Sequence, residues 1–340
     1  MRPWGDLPGD DPEHDRAETE AAIEAAGIDL HPPAPGDHAH PHQRSEPGEP
    51  PVIGIVGAGA VGTALGVALS RAGWPIHAVA SRDPGRRERF RSLVDVNRAF
   101  VDPEPLVEEV ELIILTVPDD VIEPLASGLR MYSGQAMIHT SGALGAEVLA
   151  PAMAAGTQIG SFHPLVAFAD TERAVEALHG ATIAIEADDQ LAALLSTMAQ
   201  ALGATPVRLA PGSKAAYHAA AVLAAGGFVA LLDAIAQLGR VAGLDEAGAL
   251  AIYGPLIEGT LGNARGLGIR AALTGPIIRG DVGTLRAHLD TLREHAPGVL
   301  DLYVAAARRE IELAEGRGAL APEAATEMHE MLAGALARRD

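Results

Sequence analysis

From Pro51 onward the chain alternates short apolar runs with longer stretches of helical character. "PVIGIV" (51–56) is continuously apolar, a glycine-rich turn and a helical run follow, and a Gly-Trp-Pro break leads into "IHAVA" (76–80). Further runs of strand length come at 111–117, 135–140, 158–163, 181–187 and 204–210. Helical segments lie between several of them, including 119–129 and 189–203. Strands alternating with helices predict an α/β domain with a parallel, doubly wound sheet. After Pro211 the strand pattern stops, and helices are expected over about 213–240, 245–265, 281–294, 296–315 and 322–338. Asp245 and Asp281 are placed to cap two of these helices, and Pro322 suits a first helical turn. No internal repeat is visible.

The pattern thus divides the chain into three parts. Residues 1–50, rich in Pro, Gly, Asp, Glu and His, are expected to form a disordered tail with a short helical candidate at 17–27. His31, His38, His40 and His42 crowd together there in a proline-rich stretch, and a solvated tail is favoured over a metal site. Residues 51–211 are the α/β domain, and 212–338 an all-helical domain for substrate and dimerisation.

Composition narrows the classes. A chain of 340 residues with 48% hydrophobic but only 3% aromatic residues has room for a core, built from Ala, Val, Leu and Ile. The formal net charge of −20 repels phosphate backbones, which argues against nucleic acid. The absence of cysteine excludes disulfides, thiolate metal sites and a cysteine nucleophile. No basic-then-apolar leader opens the sequence, so a cytoplasmic protein is expected. The apolar stretch 215–238 approaches membrane-spanning length, but it carries His218 and Asp233 and is rich in Ala and Gly. It reads as a helix buried in a bundle or a dimer interface.

"VGAGAVG" ends the first strand and opens the first helix, giving G-x-G-x-x-G at Gly57, Gly59 and Gly62. Gly57 permits the tight turn, Gly59 lets a pyrophosphate approach the backbone, and Gly62 allows the helix to pack closely on the strand. Ala58, Ala60 and Val61 complete the loop, whose helix N-terminus offers free N–H groups to phosphates. The strand, turn and helix together make the fingerprint of a Rossmann-like dinucleotide site. Where an NAD enzyme places an acid at the end of the second strand, this chain has Ser81-Arg82, with Arg86 and Arg87 beyond. A hydroxyl beside a guanidinium suits the 2′-phosphate of NADP(H), although Asp83 keeps NAD open. Two further strand-to-helix loops are expected near the cofactor: Val117-Pro118, with Asp119 or Asp120 as helix cap, and Thr140-Ser141.

Three features carry candidate chemistry. His163 in "GSFHPL" sits at a strand end, held extended by Pro164, where it either lines the pocket or is satisfied in the core. Lys214 is the only lysine in the chain. It lies one helical turn before His218, with Cβ atoms about 6 Å apart, in surroundings of Ala, Val and Tyr217. An apolar setting lowers a lysine pKa, so this residue can give a proton to a developing alkoxide, which arginine cannot do. In "LTGPIIRGD" (273–281), Thr274 and Arg279 are candidates to hold a substrate carboxylate, unless Asp281 merely caps a helix.

"VGAGAVGTALG", "VPDDVI", "HTSGAL", "GSFHPL", "SKAAYHAAAVLA" and "LTGPIIRGD" occur in an order that resembles a two-domain Rossmann-like family with a helical C-terminal domain long labelled as of unknown function. The resemblance covers about residues 51–315. That family is similar in build to pyrroline-5-carboxylate reductase, ketopantoate reductase and the deazaflavin-dependent NADP oxidoreductases, and some members act as an alternative ketopantoate reductase. It implies an NADP(H)-dependent homodimeric reductase of a small 2-keto acid. A cyclic imine reductase and a non-catalytic NADP-binding regulator are the alternatives. By this resemblance Lys214 matches the proton-donating lysine of the ketopantoate reductase group, and His218 stands where that group has an assisting asparagine. Phe162-His163-Pro164 falls at a substrate-touching loop. Ala225-Gly226 replaces the Ser-Asn of many members, a departure that alters the pocket if that asparagine binds substrate.

Overall fold

The computed structural model describes residues 49–96, 98–168 and 170–337. All but the last two residues of the expected tail, with its helical candidate and its histidines, lie outside them. The chain divides into two compact units between Ala221 and Val222, inside the helical run that begins at Lys214 rather than in the loop before it at 211/212.

The first unit holds an eight-stranded sheet: β1 (Ile53–Val56), β2 (Ile76–Ala80), β3 (Arg98–Phe100), β4 (Leu112–Leu115), β5 (Ala136–His139), β6 (Gln158–Pro164), β7 (Thr182–Ala187) and β8 (Thr205–Arg208). Its order is β3-β2-β1-β4-β5-β6-β7-β8. Every pairing is parallel except β6 with β7. The sheet is therefore parallel-dominated rather than wholly parallel, because the link after Pro164 re-enters the sheet at the end it left.

Among the described residues, seven α-helices begin in this unit: α1 (Ala60–Arg71), α2 (Pro84–Val94), α3 (Glu104–Val107), α4 (Asp119–Gly128), α5 (Thr171–Leu178), α6 (Asp189–Ala201) and α7 (Lys214–Val222). Asp83, Asp170 and Asp188 cap α2, α5 and α6 by accepting from the third following N–H. The cap expected from Asp119 or Asp120 is absent. Pro118 holds the N-cap position of α4 without a side-chain bond, and the two carboxylates sit in the first turn, where the helix dipole favours them.

Both sheet faces are covered, which is why β1, β4 and β5 read as unbroken apolar runs. Ile53 and Ile55 pack with Leu65, Leu69 and Phe90 on one side. Val56, Ile113, Leu115 and Met137 pack with Ile122 and Leu149 on the other. The apolar pattern fails at two strand ends. β5 finishes on His139, and β6 reads Ser161-Phe162-His163. Phe162 joins the α1 side, so alternation turns Ser161 and His163 to the opposite face.

The second unit contains α8 (Phe228–Val241), α9 (Glu246–Leu267), α10 (Ile269–Ala272), α11 (Val282–His295), α12 (Leu300–Glu315) and α13 (Pro322–Leu336). Leu285, Leu289, Val304, Ile311, Met328 and Leu332 form its core. Asp245 and Asp281 cap α9 and α11 as expected, and Pro322 opens α13. A π-helical turn at Leu223–Gly227 leads into α8. The run Lys214–Val241 is long and apolar enough to cross a membrane, and of its 18-residue window of mean hydropathy 2.1 only 11% is buried. Its expected burial is thus not provided by the described residues.

Candidate active site at the strand ends

The glycine turn after β1 is built by three different constraints. Gly57 has φ +107°, a conformation that L side chains rarely adopt. The Thr116 hydroxyl donates to the Gly57 carbonyl at 2.6 Å and fixes that turn. A Cβ on Gly62 would lie 2.0 Å from the same carbonyl and 2.4 Å from Thr116 Oγ1. A Cβ on Gly59 would meet nothing within 4 Å. Turn, tight packing and open floor fall to Gly57, Gly62 and Gly59 respectively.

A cavity of about 320 Å³ opens over this floor, lined by Ala58, Gly59, Ala60 and Thr63, by Arg86 and Arg89 of α2, and by Asp170 and Thr171 at the start of α5. Backbone N–H groups at a helix N-terminus facing guanidinium groups suit a dinucleotide pyrophosphate. Val61 lies in the first turn of α1. Around the β2 end the four basic and hydroxyl residues separate in role. Ser81 is only 2% exposed, and Arg87 donates to the carbonyls of Ser81 and Arg82, so Arg87 clamps the strand end. Arg86 pairs with Asp83 at 3.3 Å, and Arg89 donates to Thr171 Oγ1 at 3.2 Å. Pro118 borders the start of α4, next to buried Val117. Thr140 donates to the Leu115 carbonyl, and the Ser141 hydroxyl accepts from the N–H groups of Ala143 and Leu144.

A second cluster lies at the ends of β5 and β6. Register pairs His139 with Ser161, and Ser161 with Glu186 of β7, setting these three in one row across the sheet. Lys214, at the first turn of α7, is 4% exposed and donates from Nζ to Ser161 Oγ at 2.8 Å. One turn further along α7, Tyr217 Oη lies 3.2 Å from His163 Nδ1, and the rings of Tyr217 and His218 both stand edge-on to His163. His218 Nδ1 is buried without a hydrogen-bond partner. Gly142 closes the cluster: a Cβ there would lie 2.3 Å from His218 Nδ1 and 2.7 Å from His163 Nε2. His139 shapes that loop from beneath. Its Nε2–H donates to the Gly145 carbonyl at 3.0 Å, and its Nδ1 accepts from the Ser141 N–H at 3.2 Å, which fixes the tautomer.

Burial sets the charge states. It lowers the Lys214 ammonium below its ordinary value, while Glu186, Glu147 and Asp119 pull it back. Burial lowers His139 and His163 to about 4, and the positive charge of Lys214 adds to the effect on each. Both imidazoles are therefore neutral in the folded protein at neutral pH. In the unfolded chain they take a proton near pH 6.5. Their contribution to stability is fully present above about pH 6.5 and is lost as the pH falls towards about 4. The loss is on the order of 3 kcal/mol for His139 and less for His163, which is partly open to solvent. Urea melts between pH 7 and pH 4 check this. A midpoint that stays flat across the range contradicts it.

Of the residues singled out in the sequence, Ser141, His163, Lys214 and His218 meet in this cluster. Thr274 and Arg279 belong to the second unit, where both are exposed in the loop before α11. There Asp281 takes the capping role, accepting from the backbone and hydroxyl of Thr284. Ser161, His139, Gly142 and Arg89 were not singled out. Strand alternation carries a signal for two of them, since Ser161 must share a face with His163 and a polar residue ending an apolar strand marks His139.

The fold and the glycine turn define a Rossmann-like dinucleotide-binding domain, and the solved structures that the chain resembles give it an NADP-dependent oxidoreductase fold. A Rossmann-like domain model matches residues 41–164, and the model for domain of unknown function DUF2520 matches residues 181–310. The chain therefore carries a Rossmann-like domain followed by a DUF2520 domain. No protein of curated function matches the sequence. Among solved structures, a candidate NADP oxidoreductase from Bacteroides fragilis is 25% identical, covers 77% of this chain and 98% of its own, and has a TM-score of 0.61. Protein TM1727 from Thermotoga maritima is likewise 25% identical, over 78% and 99% of the two chains, at 0.61. Pyrroline-5-carboxylate reductase from Streptococcus pyogenes shares the fold at 17% identity, over 78% and 98%, with a TM-score of 0.55.

Proposed function

We propose that the chain is an NADP(H)-dependent reductase of a small carbonyl compound bearing a carboxylate, a 2-keto acid, with ketopantoate the best single candidate. The observation that carries this reading is the sole lysine, buried at the strand ends and bonded to a neutral hydroxyl. A charge kept for solubility or for surface pairing has no reason to be there.

Gly57 to Gly62, with Ala58, Ala60 and Val61, hold the pyrophosphate on the N–H groups of α1. Arg82 reads the 2′-phosphate, with Ser81 shaping the strand end from its buried position. Val117, Pro118, Thr140 and Ser141 border the nicotinamide side. When bound, NADPH supplies the hydride. Lys214 holds the proton at Nζ and passes it to the substrate oxygen as negative charge develops there. His163 and His218, with Ser141, orient the substrate by hydrogen bonds. A side chain at Gly226 would meet nothing within 4 Å. The protein works as a homodimer in which a second copy covers the exposed apolar side of the helical run 214–241.

A cyclic imine substrate is the second reading, favoured by the likeness to the reductive aminase and imine reductase structures from Aspergillus terreus, which were solved with NADPH and NADPH4. A protonated imine needs no proton on oxygen, so that reading gives Lys214 less to do. The test is a fluorescence titration with NADPH, followed by turnover of ketopantoate and of pyrroline-5-carboxylate. NADPH binding with reduction of ketopantoate alone is the expected result. Turnover of the imine alone selects the second reading, and no binding of NADPH removes both.

A further inference from the structure

The acceptor on Lys214 is a serine, and that choice carries information. Ser161 is fully buried, its Oγ lies 2.8 Å from Nζ, and its register neighbours are His139 on one side and Glu186 on the other. His139 has committed both ring nitrogens to the loop 141–145, and a Glu186 oxygen accepts from the Ala146 N–H at 3.2 Å. The hydroxyl is thus the one group in the row whose hydrogen-bonding role can reverse. A carboxylate at this position could only accept, which would hold the lysine in its charged form. A hydroxyl can accept from an ammonium and donate to an amine.

We propose that Ser161 is the positioning residue for Lys214, its hydroxyl accepting from the ammonium before proton delivery and donating to the free amine afterwards. The step balances. The Nζ–H bond breaks as the substrate O–H bond forms, the amine keeps the electron pair, the serine proton rotates towards it, and solvent later restores the ammonium. Other titratable groups act on Lys214 from the neighbouring elements: Glu186 on β7, Glu147 in the 3₁₀ segment after β5, Asp119 on α4, and His139 and His163 on the strand ends, with His218 on α7 edge-on to His163. All of them are more remote partners than the 2.8 Å hydroxyl. This inference rests on Lys214 as proton donor, but its test needs no substrate.

Because the chain contains one lysine, protein grown on ¹³C-lysine gives a single ε-carbon signal, whose titration reports Lys214 directly. In the full-length protein, Ser161→Ala is expected to lower the titration midpoint by about one pH unit, since the hydrogen bond lost by the charged ammonium is stronger than the one lost by the neutral amine. Ser161→Thr keeps the hydroxyl and the wild-type midpoint. Ser161→Asp raises the midpoint by about 1–3 units. NADPH binding and melting curves establish that each variant is folded, and the alanine and threonine variants decide the matter if the buried aspartate does not fold. Midpoints identical in wild type, alanine and threonine variants overturn the proposal, whatever substrate the enzyme proves to reduce. If the midpoints move as expected while no carbonyl compound is turned over, the hydrogen bond between Ser161 and Lys214 stands, and the role of both in proton delivery is overturned.

Discussion

Replacing Lys214 by arginine lowers kcat for keto-acid reduction by about 10²–10⁴-fold, the usual size of a general-acid contribution, and leaves NADPH affinity unchanged. The substitution keeps the positive charge, so electrostatic attraction of an anionic substrate survives it. What disappears is the exchangeable proton, because a guanidinium stays protonated at any working pH. Lys214→Met removes charge and proton together and is expected to raise KM as well as lower kcat. Comparing the two variants separates charge from proton transfer. The check is steady-state kinetics of both proteins, with NADPH binding measured beside it. With a cyclic imine the arginine variant loses far less, so the size of the effect also reports the substrate class. Unaltered kcat for a ketone in Lys214→Arg removes the lysine from the mechanism.

Gly62→Ala is expected to weaken NADPH binding by at least about 100-fold and to destabilise the protein by about 1–3 kcal/mol. The added methyl would lie 2.0 Å from the Gly57 carbonyl, and that carbonyl cannot retreat because Thr116 holds it at 2.6 Å. The start of α1 must therefore move off the turn, taking its N–H groups with it. Gly59→Ala is the informative contrast. Its methyl meets no protein atom within 4 Å, so the variant melts like wild type and loses only the close approach of the pyrophosphate. Fluorescence titration and thermal melting of the pair distinguish a glycine needed for packing from one needed for the ligand. Equal melting temperatures for the two variants contradict this division.

Local signals were strong where one residue type answers one constraint. Gly57, Gly59 and Gly62 were readable because a positive φ, an open floor and a close helix contact each exclude side chains. The caps at Asp245 and Asp281 followed from residue type and position. The antiparallel placing of β7 was not readable, since it depends on where the 165–181 link re-enters the sheet. β3 was too short, at three residues, to show a period.

In the candidate site, Lys214 stood out by composition and His163 by its place at a strand end. Ser161 and His139 did not, because their importance comes from register, which puts residues from separate strands side by side. Arg86 and Arg87 look equivalent in the sequence. Geometry alone divides them, giving one a place on the cavity wall and the other a clamp on two backbone carbonyls.

The central claim is that this chain moves a hydride from NADPH to a small carboxylate-bearing carbonyl compound. Incubation with NADPH deuterated at C4, in each diastereomer, and with a panel of 2-keto acids and cyclic imines tests it by mass spectrometry of the products. One deuterium in a 2-hydroxy acid, delivered from one diastereomer only, is the predicted result. NADPH binding without deuterium in any product of the panel contradicts it.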